Sequence, residues 1–225
     1  MTLQSPRAPL RAALVALVCA FVPPAALPAA TGSAPAVAAT EADAPAAAPP
    51  SALADTEARP VNPRYVLLDT RGRMVGNEDF PGRFQLITFG YTFCPDVCPT
   101  TLATMVQVRQ RLGELGERLQ LVFITLDPER DTPEVLAKYA EYFGPGITAL
   151  TGSPQLVQAA ADHYGITFRR YADPGAKAGF YSIDHTTGLY LLGPDGQFIV
   201  RLPYDAGIVQ TAARLDAILR SEDGP

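Results

Sequence analysis

The stretch FQLITFGYTFCPDVCPTTL, residues 84–102, decides the fold. Its first eight residues carry no charge and are rich in β-branched and aromatic side chains, the composition of a strand buried on both faces. After Pro99, Leu102, Met105, Val108, Leu112 and Leu115 recur at steps of three or four, with Gln107, Arg109, Gln110 and Arg111 on the opposite side. That is the stripe of an amphipathic helix. A buried strand passing through a short loop into a helix is the repeating unit of an α/β sheet, where sites form beyond the carboxyl ends of parallel strands. Residues 93–99, with Cys94 and Cys98, fall at that position.

The pattern continues on both sides. LQLVFITL (residues 119–126) reads as a second buried strand. In DPERDTPEVL, Thr132 suits a helix cap, Pro133 the first helical position and Glu134 the positive helix end, which predicts a helix to about residue 143. A short strand follows over 147–150, then a helix from Ser153-Pro154 to Tyr164 stopped by Gly165, and a strand over 166–170. Segments 189–192 and 198–202 flank GPDGQ as a hairpin, and a last helix covers about 206–220. Upstream, 65–68 and 74–75 flank DTRGR as a small hairpin. This alternation predicts an α/β protein of thioredoxin-like fold, a central mixed sheet flanked by helices with an added N-terminal β-hairpin.

The chain has 225 residues, 48% of them hydrophobic and 18% charged, with only 3 Cys and 2 His, material for one or two domains with at most one small metal site. A net charge of -5 offers no electrostatic footprint for nucleic acid. The first sixty residues do not read as a domain. Arg7 and Arg11 precede the apolar run AALVALVCAFV (residues 12–22), so 1–30 reads as a secretory signal peptide or an N-terminal anchor. The run falls short of the roughly 20 apolar residues of a membrane span unless the Pro-broken stretch after it is counted, which favours export with cleavage over a tether. Residues 31–60 are Ala- and Pro-rich without an aromatic, a disordered linker. The globular domain is expected over 61–225.

Cys94 and Cys98 are four apart at a helix start, so their side chains can share one face as thiols, a disulfide or two metal ligands. A helix N-terminus favours thiolate, the form that binds metals and attacks disulfides. As a structural staple, a five-residue loop gains only roughly 2 kcal/mol. Two thiolates with one imidazole suit Cu(I). His163 ends a predicted helix, where a cation complements the dipole, whereas His185 in SIDHTTG occupies a loop that could fold over the cysteines. Asp127 ends a strand at the site edge, where it could orient the cluster; Asp131 and Thr132 read as helix-start residues, and Met105 as core. The WCxxC signature of thioredoxins is absent, as is the Thr three residues before a Cys that a peroxiredoxin needs.

FGYTFCPDVCPTTL, TLDPERDTPEVLAKY, LTGSP and DHTTGLYLLGPDG, in that order, resemble the SCO/SenC family of copper-binding assembly factors for cytochrome c oxidase, over about residues 62–221. Phe93 departs from the His frequent there, TLDP stands where SVDP is common, and RRYADPGAKAGFYSID is an extended segment. The resemblance implies a copper site of Cys94, Cys98 and His185, carrying Cu(I) and also Cu(II). It further implies a metallochaperone rather than a turnover enzyme, with cytochrome c oxidase subunit II, a copper donor protein and a thiol reductant as partners. The leader implies an exported protein, in the periplasm or at the periplasmic face of the inner membrane if the source is bacterial. The rival reading is a thiol–disulfide oxidoreductase acting through Cys94 and Cys98.

Overall fold

The computed structural model describes residues 63–172, Gly175 and 180–221; the leader and linker expected over 1–60 lie outside the described residues. Strands β3 (Phe84–Gly90) and β4 (Leu119–Thr125) are buried at every residue and run parallel, in register from Phe84 opposite Leu119 to Gly90 opposite Thr125. Their charge-free sequences leave no side that tolerates water, so they take the centre of the sheet. Parallel β5 (Ile147–Thr151) follows on β4, and the hairpin of β1 (Val66–Asp69) and β2 (Met74–Gly76) adds antiparallel to β5. On the other side β8 (Leu189–Leu192) and β9 (Phe198–Leu202) add antiparallel to β3, giving the order β2-β1-β5-β4-β3-β8-β9. This is the thioredoxin-like α/β arrangement with an added N-terminal hairpin that the alternation predicted.

Alternation along β3 and β4 divides two cores. On one face Phe84, Leu86, Leu121 and Phe123 pack under α1 (Val97–Arg111), α3 (Pro133–Tyr142) and α5 (Gly207–Ser221). On the other, Ile87, Phe89, Val122 and Ile124 pack with Val157, Ala160 and Ala161 of α4 (Pro154–His163). The stripe residues Leu102, Met105, Val108 and Leu112 all lie in the first core, which confirms Met105 as a packing residue. That stripe is interrupted where Gly113 takes φ +57°, a left-handed conformation open to glycine; the chain then makes the short helix α2 (Glu114–Glu117). Pro99 sits inside the first turn of α1 rather than before it, a position where a missing N–H costs no helical bond. Thr132 caps α3 as read from the sequence, accepting the Val135 N–H at 3.4 Å.

One strand departs from the expected sheet. β6 (Phe168–Tyr171) does not join the seven strands; it pairs antiparallel with β7 (Ser182–His185) as a separate two-stranded ribbon. The reason is compositional, since FRRY is exposed at three of four positions and could not be covered on both faces. His185, expected in a loop, is therefore the last residue of a strand. No helix among the described residues is long and apolar enough to cross a membrane.

Candidate metal and thiol site

Cys94 lies in the turn between β3 and α1, and Cys98 is the second residue of α1. Asp96 occupies the N-cap position without a side-chain cap bond; instead the Cys98 backbone N–H points at the Cys94 sulfur, 3.4 Å away. A sulfur thus stands where a capping oxygen usually sits. The Cys98 side chain packs against the end of β3, and an added Cβ on Gly90 would lie 2.7 Å from its sulfur. Glycine there is what allows the close approach.

The two thiols are free and unequal. Cys94 is partly exposed, whereas Cys98 is buried at 4% exposure. The Cys98 thiol bonding to Cys94 is the main cause that lowers Cys94 to about 5, against partial burial and with help from the N–H groups of Asp96, Cys98 and Val97. The same bond, followed by desolvation, pushes Cys98 far up. Cys94 is accordingly the thiolate and Cys98 the thiol of the pair.

His185 lines a small cleft together with Cys98, Thr101, Phe123, Gly188 and Tyr204. Its Nδ1 lies 3.0 Å from the Thr186 carbonyl oxygen, which can only accept. In the uncharged ring Nδ1 therefore carries the proton and Nε2 presents the lone pair, the arrangement that fixes a ligating imidazole. The ring stands edge-on to Tyr91 at 6.4 Å between centroids. Among the described residues no three His, Cys, Asp or Glu side chains converge on one metal position. The fold brings the cysteines together and places His185 in a cleft walled by Cys98, while the three are not closed into a cage.

Asp131 departs from its sequence reading, whereas Asp127 keeps its place at the site edge. Asp127 is fully buried just beyond β4, and its carboxylate accepts bonds from Arg130 Nε and from the Tyr181 hydroxyl at 2.7 Å. Asp131 is not a helix-start residue in function: Thr132 caps α3, and the buried Asp131 carboxylate accepts the Thr92 N–H at 3.0 Å and the Thr92 and Thr125 hydroxyls at 2.5 and 2.6 Å. It ties the cysteine turn to β4. Burial raises its carboxyl against those three bonds. The only hint was a second acid just before the cap, beside threonines at two strand ends. His163, read as structural, does sit apart, with Nδ1 2.8 Å from the Arg64 carbonyl. Arg130, Tyr91 and Tyr181 were missed, because nothing local in DPER or FYSI signals that they meet.

Comparison with known proteins identifies the family. The family model described as SCO1/SenC matches residues 53–220. The human protein SCO2 homolog, mitochondrial, is 45% identical over 136 residues, 60% of this chain and 50% of that protein, so the chain spans about half the length of that relative. The structure of yeast Sco1 with copper bound superimposes with a TM-score of 0.65 at 32% identity, covering 72% of this chain and 90% of that one. Bradyrhizobium japonicum ScoI with copper bound gives 0.62 at 33% identity over 68% and 96%.

Proposed function

The chain belongs to the SCO1/SenC family, copper-binding proteins of cytochrome c oxidase assembly, and we propose that it carries one copper ion on Cys94, Cys98 and His185 and delivers it to the binuclear copper centre of oxidase subunit II. The observation that carries this reading is a thiolate-prone Cys94 one turn from Cys98, with His185 in the wall of the Cys98 cleft and its Nε2 unspent. Two soft sulfurs and an imidazole suit Cu(I), and a third ligand arriving from a separate ribbon allows Cu(II) as well. Copper here is cargo. Cys94 and Cys98 hold it, and His185 completes the set and leaves first on transfer. Export to the periplasm through residues 1–30, with or without a membrane tether, belongs to the same reading, as do a copper donor and a thiol reductant that keeps the pair reduced. A formal net charge of -5 offers no electrostatic footprint for nucleic acid.

The test is copper content of reduced full-length protein after loading and exhaustive dialysis. One copper per chain is expected, with Cys94→Ser or Cys98→Ser abolishing it and His185→Ala weakening it by at least the roughly 10 to 100-fold seen when groups supporting a metal ligand are lost. Parent protein that retains no copper overturns the reading. Transfer is read from the absorption of the copper centre formed in an apo subunit II domain.

The unequal exposure of the two sulfurs favours a second reading, thiol–disulfide exchange. The Cys94 thiolate would attack a partner disulfide and expel one partner thiolate. Cys98 would then displace the other, leaving a Cys94–Cys98 disulfide and a partner dithiol, two electrons having moved to the partner. His185 is not needed for that sequence, so His185→Ala that loses copper but still reduces a small aromatic disulfide separates the two activities.

A further inference from the structure

The ribbon that carries His185 is not part of the central sheet, and a two-stranded ribbon is marginal by itself. Two ties hold it. One is apolar, with Ile183 packing on Tyr91 and Cys98 and Phe168 packing against both that group and the second core. The other is centred on Arg130. The Arg130 guanidinium lies 3.6 Å from the centre of the Tyr181 ring and 4.7 Å from that of Phe93. Its Nη1 donates to the Tyr181 carbonyl at 3.0 Å, its Nε donates to Asp127, and the Tyr181 hydroxyl donates to the same carboxylate at 2.7 Å. From the other strand Arg170 reaches Glu129 at 2.8 Å and Asp127 at 3.8 Å and covers Tyr181. Arg130 Nη2 is buried without a hydrogen-bond partner, so that edge of the guanidinium relies on the aromatic faces around it.

The placement of these contacts is specific. Phe93 immediately precedes Cys94, and Tyr181 immediately precedes β7, which ends at His185. Arg130 therefore touches both the cysteine turn and the histidine strand, and it is anchored to the end of β4 through Asp127. We propose that Arg130, clamped between Tyr181 and Asp127, is the positioning residue that sets how closely His185 approaches the cysteine pair. It is not a ligand. The proposal rests on the copper reading for its consequence, though not for its geometry.

The experiment compares Arg130→Met, which keeps a long side chain but loses the charge and the fork, with Tyr181→Phe, which keeps the ring and loses only the hydroxyl. Two quantities are read on full-length protein. The first needs no copper: the nuclear Overhauser contact between the His185 and Tyr91 rings in the apo protein is lost in Arg130→Met and weakened in Tyr181→Phe. The second is Cu(I) affinity by chelator competition, expected to fall about 10-fold or more in Arg130→Met. In the double variant with His185→Ala, affinity falls no further than in His185→Ala alone. An intact ring contact in both variants, or additive losses in the double variant, overturns the clamp. If His185→Ala itself leaves affinity unchanged, the copper assignment of His185 fails, and the ring contact alone decides the clamp. Unchanged alkylation of Cys94 in Arg130→Met separates this effect from general damage to the site.

Discussion

The cysteine half of the site and the histidine half are held by different physics. Cys94 and Cys98 sit where a strand buried at every residue meets a helix whose stripe is buried in the main core, so their spacing is set by packing and by the turn that enters the helix, with the Cys98 N–H on the Cys94 sulfur. His185 sits on a ribbon exposed along most of one strand and fastened by two guanidinium groups, two carboxylates, a few aromatic rings and a small apolar contact at Ile183. Such ties open at less cost than a core does. On the proposed copper reading the difference gives each half a role: the pair of sulfurs is the fixed platform, and the imidazole is the part that can approach and withdraw.

That contrast can be broken by experiment. The largest effect is expected in amide hydrogen exchange. The β3 and β4 amides should exchange only through global unfolding, and those of β6 and β7 through local opening on the order of a thousandfold faster. Equal protection of ribbon and sheet would remove the distinction. Next in size is the difference between the two sulfurs. Cys94 lies below the ordinary thiol range, so above about pH 5 it stays thiolate and nucleophilic, and its alkylation rate should be flat from pH 8 to 6 and fall as pH drops through about 5. Cys98, raised and buried, should react at least ~100-fold more slowly at pH 7. Mass spectrometry of partially alkylated peptides checks both, and comparable labelling of the two would reverse the assignment of thiolate and thiol. The smallest effect sharpens the placement of His185. Strand alternation turns the neighbouring Asp184 outward, opposite Arg169, so Asp184→Asn should leave Cu(I) affinity unchanged and stability within about 0.5 kcal/mol. A loss of copper in Asp184→Asn comparable to that in His185→Ala would place the carboxylate in the site.

Legibility in the sequence followed the range of the interactions. Buried strands, the α1 stripe and the Thr132 cap depend on residues within a few positions of each other, so composition and period revealed them. The edge ribbon was misplaced because a four-residue strand does not announce its partner; pairing Phe168 with His185 spans a segment with no pattern of its own. Asp131 shows the same limit. Just before Thr132-Pro133 it reads as a helix-start residue, yet its carboxylate is spent on Thr92, 39 residues away in sequence.

By itself the sequence determined the α/β layering, the position of two cysteines at a helix start beyond a central strand, and the inventory of just two histidines from which a third ligand could come. Periodicity and local capping encode those features directly. Only the tertiary structure decided that one sulfur is partly exposed and the other buried, that His185 stands at the end of a detached ribbon, and that Arg130 joins Phe93, Tyr181 and Asp127. The physical reason is that burial, the field around a thiol and the stacking of a guanidinium between rings belong to side chains from distant segments, and come into being only when the sheet and ribbon close over them.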